Sequence, residues 1–251
     1  MKTVLITGCS SGFGLETARY FLERDWQVIA TMRAPREDIL PRSERLRVLA
    51  LDVTDSESIR QAVDAAGPID VLVNNAGIGV MNVLEGTPME TVREVFETNT
   101  LGTIAMIQAV LPQFRQQKAG IIVNVTSGVT LRAIPLVSVY TASKAAVNAF
   151  TESLALELQP FNVRVSLVIP GLASETRFGD TAQSRMQGGL PEAYAGFAQS
   201  VFAQVAQAVQ SSLVTRPLDV AEAVWRAAND PASPVRIAAG ADAVAAMTAS
   251  R

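Results

Sequence analysis

The chain has 251 residues, is 49% hydrophobic and carries a net charge of −3, which fits one large folded domain and excludes a disordered chain. Acids and bases are mixed along it, so nothing points to nucleic acid or another polyanion as partner. There is no histidine and one cysteine, which excludes Ser-His-Asp and Cys-His catalysis and an intramolecular disulfide and argues against zinc chemistry. Proton transfer must then use Tyr, Lys, a carboxylate or water. Thr3-Val4-Leu5-Ile6-Thr7 reads as a buried strand. Its early start leaves no room for a signal peptide, and no stretch has the sustained apolarity of a membrane span. With the single cysteine, this gives a cytoplasmic protein as the expectation.

Gly8-Cys9-Ser10-Ser11-Gly12-Phe13-Gly14 follows as a turn, and Leu15 to Asp25 has the apolar spacing of a helix. A strand, a glycine-rich turn and a helix start form an anion site. Backbone N–H groups point outward, and glycine lets a phosphate come close. The expected binding residues here are Gly8, Ser10, Ser11, Gly12, Phe13 and Gly14. The spacing differs from G-x-G-x-x-G. Trp26 to Met32 is the second strand. No acid follows it to accept from a ribose hydroxyl. Arg33 stands there instead, with Arg36 close behind, and Arg33 with Ser11 suits a 2′-phosphate. NADP(H) is therefore favoured over NAD(H).

Leu46 to Leu51 is the third strand, ending at Asp52-Val53, a pair placed to meet adenine. Thr54 or Asp55 caps a helix to Ala66, and Gly67-Pro68 breaks it. Ile69 to Val73 is the fourth strand, followed by Asn74-Asn75-Ala76-Gly77. Glu90 to Gln116 reads as one long helix. Asn99 in its middle is a poor helix former, and its functional reading is an opening of the helix to a water. Ile121 to Thr126 is a buried strand that delivers Ser127. Tyr140 and Lys144 then share one face of the next helix. A free Tyr titrates near 10, and a neighbouring ammonium favours its phenolate. That would fit Tyr140 for acid–base work near neutral pH.

Val163 to Ile169 is the sixth strand, ending at Pro170-Gly171. Residues 172–215 change to Gln and Ala with few charges, and Phe197, Val201, Val205 and Val209 recur every four residues. This segment reads as a lid over an apolar pocket, with a membrane-surface helix or a dimer contact as alternatives. The lack of Lys or Arg from Glu192 to Thr215 argues against a membrane. Asp219 caps a helix to Asp230, and Val235 to Ala238 is a last short strand. Strands alternate with helices throughout. The fold class is therefore a single-domain α/β Rossmann-type, doubly wound parallel sheet of about seven strands.

With these motifs placed, the chain resembles the short-chain dehydrogenase/reductase family. The resemblance rests on Thr7-Gly8 with Gly12 and Gly14, Asp52, the Asn74 to Gly77 segment, Asn99, Ser127, Tyr140, Lys144 and Pro170-Gly171, in the family's order. The segments Gly8 to Gly12 and Ala30 to Arg33 are similar to the branch of 17β-hydroxysteroid and retinol dehydrogenases. The resemblance implies a catalytic set of Asn99, Ser127, Tyr140 and Lys144. Tyr140 is the acid–base group, Ser127 polarises the substrate oxygen, Lys144 lowers the Tyr140 pKa and holds the nicotinamide ribose, and Asn99 positions a water. It adds Asp52, Val53, Asn74, Ala76, Gly77, Tyr140, Lys144, Pro170, Gly171 and Thr176 to the cofactor contacts. In the family a Thr often stands four residues after Pro-Gly, where this chain has Glu175. The expected reaction interconverts a carbonyl and a secondary alcohol on a small apolar substrate, beside Val80, Met81, Leu131, Ile134 and Leu136. No metal is expected, and a homodimer or homotetramer is. A non-catalytic nicotinamide-binding regulator is the alternative, and a nucleotide-sugar epimerase or dehydratase is a third reading.

Overall fold

A computed structural model describes residues 1–173, 189–209 and 214–249. The elements in order are β1 (Thr3–Ile6), α1 (Gly12–Leu22), β2 (Gln27–Met32), β3 (Leu46–Ala50), α2 (Ser56–Ala66), β4 (Val71–Asn74) and α3 (Met89–Phe96). After a π-helical turn at Glu97–Leu101 come α4 (Gly102–Gln117), β5 (Gly120–Val125), α5 (Ser138–Leu158) and β6 (Val163–Pro170). The chain closes with α6 (Ala195–Val209), α7 (Pro217–Asn229), β7 (Arg236–Ala239) and α8 (Ala241–Ala249). Among the described residues the strands form one sheet, ordered β3-β2-β1-β4-β5-β6-β7, and every pairing is parallel. The order reverses between β1 and β4. That places a crevice at the carboxyl ends of these two strands, where a doubly wound sheet takes its ligand.

Each central strand is apolar on both sides, as strands covered by two helical layers must be. Val4 and Ile6 of β1 enter the core shared with α1 and α7, while Leu5 enters the opposite core under α2, α4 and α5. Val71, Val73 and Leu72 of β4 divide in the same way. Burying such a side chain contributes about 1.5–3 kcal/mol, so these two strands hold the crevice floor rigid. Under α1, Phe21 packs edge-on against Trp26 and Trp225 with ring centroids 5.1 and 5.0 Å away, and the two indoles lie 5.7 Å apart.

Arginines finish two helices. Arg164 of β6 donates to the carbonyls of Ala227 (3.1 Å), Asp230 (3.0 Å) and Ala228 (3.4 Å), at the C-terminal end of α7. Arg47 of β3 does the same for Ala65 and Ala66 at the end of α2. A cation there offsets the negative end of the helix dipole.

Four expectations change. α1 begins at Gly12, so Phe13 and Gly14 belong to its first turn and not to the loop before it. The long helix from Glu90 is two helices, because the backbone around Asn99 winds into a π turn. Asp219 is not the cap of α7. It sits three residues inside, and its carboxylate accepts from the Arg216 N–H at 2.9 Å, while Arg216 holds the cap position. In α6, Ala198 and Val201 are buried and Val205 packs beside them, but Phe197 is 51% exposed, so the apolar stripe starts one residue later. The side chain of Val209 lies outside the described residues, as do Glu175 and Thr176.

Candidate active site

The first turn is built for close approach. Gly8 has φ +75°, and a Cβ there would lie 2.8 Å from Ala76 Cα. A Cβ on Gly14 would meet the Gly8 carbonyl and the Asn75 amide. The turn is clamped to β4 from the other side. Asn75 Nδ2 donates to the carbonyls of Thr7 (3.0 Å) and Gly8 (3.1 Å). Thr7 Oγ1 accepts from the N–H groups of Asn75 (3.0 Å) and Ala76 (2.9 Å). Ser11 caps α1 with an extended backbone, so the first N–H groups of the helix face the crevice mouth beside Gly12. This cradle fits a pyrophosphate.

Arg33 is exposed just past β2, and its charge reaches the Asp52 carboxylate. Hydrogen bonds from the Thr54 main chain and hydroxyl hold that carboxylate below the usual range, with Arg33 adding to the effect. Arg36 Nη2 donates to the Ser10 carbonyl at 2.9 Å, which brings a second cation to the turn. Val53 is buried under Gly102, whose missing side chain leaves room for it.

The sequence reading assigned Asn74 to the cofactor and left Asn75 without a role. The structure reverses the pair for the side chains. Asn74 Nδ2 donates to Asn124 Oδ1 at 2.9 Å inside the sheet, and Asn124 passes the bond to Thr151. Asn74 is the last residue of β4 and points into the core, so Asn75 points back to the turn.

At the carboxyl end of β5, Ser127 is hydrogen-bonded to the Tyr140 hydroxyl. Lys144 lies one turn further along α5. Its Nζ donates to the Val125 carbonyl at 3.1 Å, and an added Cβ on Gly77 would sit 3.3 Å from it. That same Cβ would be 3.2 Å from Asn99 Oδ1, so Gly77, Asn99 and Lys144 meet at the end of β4. Asn99 is fully buried. Its Oδ1 accepts from Ile78 N (2.8 Å), and its Nδ2 donates to Ile78 O (2.9 Å) and Ser143 Oγ (3.0 Å). The π turn is the backbone's answer to that sideways anchorage. The Asn99 carbonyl accepts from Thr103 Oγ1 at 2.9 Å. With both hydrogens of its side-chain amide engaged by protein, the Asn99 side chain can hold a water only as an acceptor.

Burial pushes the Tyr140 hydroxyl up to about 12, with the Ser127 bond working against it, and burial brings the Lys144 amine down to about 8. This differs from the expectation that the Lys144 ammonium lowers Tyr140. Both groups lose water in the same pocket wall, and each is pushed toward its neutral form. Tyr140 also packs in an apolar cluster with Val80, Val137 and Val139, with Met81 and Ile134 against it. Leu136 lies in the next cluster, under α6. Pro170 is buried at the end of β6, and Gly171 N donates to Thr215 Oγ1 at 2.9 Å. Cys9 is buried, its thiol raised to about 12, and takes no part. Among the described residues there is no cluster of acids or cysteine that could hold a metal, and no helix is long and apolar enough to cross a membrane.

The family model for short chain dehydrogenase matches residues 2–187. This chain belongs to the short-chain dehydrogenase family. A 3-ketodihydrosphingosine reductase of Bacteroides thetaiotaomicron is 43% identical to this short-chain dehydrogenase over 174 residues, 68% of this chain and 63% of that protein. Human retinol dehydrogenase 8 is 34% identical over 250 residues, 94% of this chain and 80% of that protein. The chain thus spans less than two thirds of the first of these relatives. A short-chain dehydrogenase structure from Streptomyces avermitilis matches with a TM-score of 0.83 and 33% identity, covering 99% of this chain and 91% of that one. Two further structures of the fold carry nucleotides. A serine dehydrogenase complexed with NADP+ has a TM-score of 0.80 and 28% identity, covering 95% of this chain and 94% of that one. A Burkholderia phymatum short-chain dehydrogenase in complex with NAD has a TM-score of 0.78 and 25% identity, covering 94% of this chain and 88% of that one. A nicotinamide cofactor for this short-chain dehydrogenase follows from the family and the cradle together.

Proposed function

We propose that this protein is an NADP(H)-dependent oxidoreductase that interconverts a carbonyl and a secondary alcohol on an apolar substrate. The observation that carries the reading is the Tyr140 hydroxyl bonded to Ser127, with Lys144 one turn away at the end of β4. When bound, the nicotinamide supplies or accepts the hydride. Everything else falls to the chain. The Gly8 to Gly14 turn and the start of α1 bind the pyrophosphate through main-chain N–H groups. Arg33 and Arg36 favour a 2′-phosphate, and no carboxylate ends β2 to repel one. Lys144, Gly77 and Pro170-Gly171 line the nicotinamide end. Ser127 Oγ donates to the substrate oxygen. Tyr140 gives that oxygen its proton in reduction and takes it back in oxidation. Val80, Met81 and Ile134 offer the substrate carbon skeleton no hydrogen bond, which supports an apolar ketone without charge. α6 and the residues just before it are the lid on that side, while 174–188 and 210–213 of the expected 172–215 lid lie outside the described residues. The soluble chain acts in the cytoplasm as a homodimer or homotetramer.

The test is NADPH and NADH oxidation over aromatic, steroidal and aliphatic ketones, with Tyr140→Phe as control. NADPH is expected to support the faster turnover. The variant should keep NADPH affinity and lose turnover by about 10²–10⁴-fold, the usual contribution of a positioned acid. Wild-type turnover in Tyr140→Phe would remove Tyr140 from the chemistry. Tight NADPH binding with no turnover in either direction would favour a nucleotide-binding regulator.

A further inference from the structure

Three loops around the substrate side meet at one buried residue. Asn82 is 4% exposed. Its Nδ2 donates to the carbonyls of Gly86 (2.8 Å) and Gly189 (3.3 Å), and its Oδ1 accepts from Val83 N (2.8 Å). Its own N–H donates to the Leu136 carbonyl at 2.8 Å. The β4 loop, the segment before α5 and the residues leading into α6 are thus joined at a single residue, the side chain tying Gly189 to the β4 loop and the main chain tying that loop to Leu136. The joint is close-packed. A Cβ on Gly86 would sit 2.6 Å from the Gly189 carbonyl oxygen. Beside it, Glu85 is hydrogen-bonded to the Tyr194 hydroxyl.

The joint reaches from α6 to Tyr140. Leu136 has φ +65°, a left-handed backbone that a branched side chain adopts only when its surroundings impose it. Here they do. Its carbonyl is held by Asn82, and its side chain is buried with Val83, Ala198 and Val201. The next residue, Val137, begins the wall that packs on Tyr140. A shift of Gly189 or α6 is therefore felt one helical turn before Tyr140.

We propose that Asn82 is a positioning residue that fixes the spacing between α6 and the Tyr140 wall, and so limits the size of the apolar group accepted there. It touches no reacting atom, and the proposal rests on the reading of Tyr140 as the reaction centre. Removing the amide leaves two buried carbonyls short of a donor and unties Gly189, while Gly8 to Gly14, Asn75 and Lys144 keep their contacts.

The experiment compares Asn82→Ala and Gly86→Ala with wild type. Gly86→Ala keeps the amide but wedges the joint from the opposite side. Small and bulky apolar ketones give KM and kcat, titration gives NADPH affinity, and hydrogen exchange follows the amides of α6 and α1. In both variants KM for the preferred ketone should rise about tenfold, with kcat and NADPH affinity changed less than about twofold, as loss of one or two buried bonds remote from the chemistry predicts. The preference between small and bulky ketones should narrow about fivefold, and α6 should exchange about tenfold faster while α1 does not change. An unchanged KM, a fall confined to kcat, or unchanged α6 exchange in the folded variants overturns the proposal. If wild type reduces no ketone, the Tyr140 reading fails on its own. The exchange of α6 still decides whether Asn82 holds it.

Discussion

At neutral pH, Lys144→Met is expected to stabilise the fold while abolishing turnover. Burial holds the Lys144 amine at about 8 against an ordinary 10.5. The unfolded chain therefore binds that proton more tightly than the folded one. Below pH 8 the folded protein carries a buried charge as a penalty, which shrinks as pH rises through 8 and vanishes above 10.5. The gap between the two values corresponds to about 3 kcal/mol. Against it stands the Nζ bond to Val125 O at 3.1 Å, which contributes about 1 kcal/mol. Met fills similar volume without charge. The variant should then be about 2 kcal/mol more stable at pH 7 and about 1 kcal/mol less stable at pH 10.5. Ionisation of Tyr140 is common to both proteins and cancels in the comparison. Urea unfolding of the cofactor-free proteins, followed by circular dichroism at the two pH values, reads the difference. A stability gap that does not change with pH, or a variant weaker at pH 7, refutes the reasoning.

Asn75→Ala removes the donor to Thr7 O and Gly8 O. It should destabilise by about 2 kcal/mol and weaken NADPH binding about tenfold; unchanged affinity in fluorescence titration would show that the turn needs no clamp. Arg164→Met strips the cap from α7, on the face of the sheet away from α5. A loss of about 2 kcal/mol in urea unfolding with unchanged kcat and KM is expected, and altered kinetics would show that α7 is coupled to the site.

The alternation of strands and helices, and the placing of Tyr140 and Lys144 on one helix, were readable because strand runs and an i, i+4 pair are local patterns. Asn74 and Asn75 were not separable in the same way. Which of two adjacent residues faces the core depends on where β4 stops, and strand ends are set by pairing to β5. Asn99 stood out as a poor helix former, but its π turn depends on bonds to Ile78 and Ser143, far away in sequence. Asn82 carried no signal. A polar residue in a loop reads as solvated until Gly189, more than a hundred residues later, is brought over it. The pKa directions were missed because sequence places Lys144 near Tyr140 but gives no measure of how dry their surroundings are.

The pairing of Trp26 with Trp225 has a spectroscopic consequence. These are the chain's two tryptophans, and both sit under α1 and α7, in the core layer opposite α2, α4 and α5. Intrinsic fluorescence thus watches a single layer. Coincident fluorescence and dichroism curves would mean that the two layers melt as one cooperative body. A fluorescence change arriving before or after the dichroism would identify the α1 and α7 layer as a separate unit, without any label added.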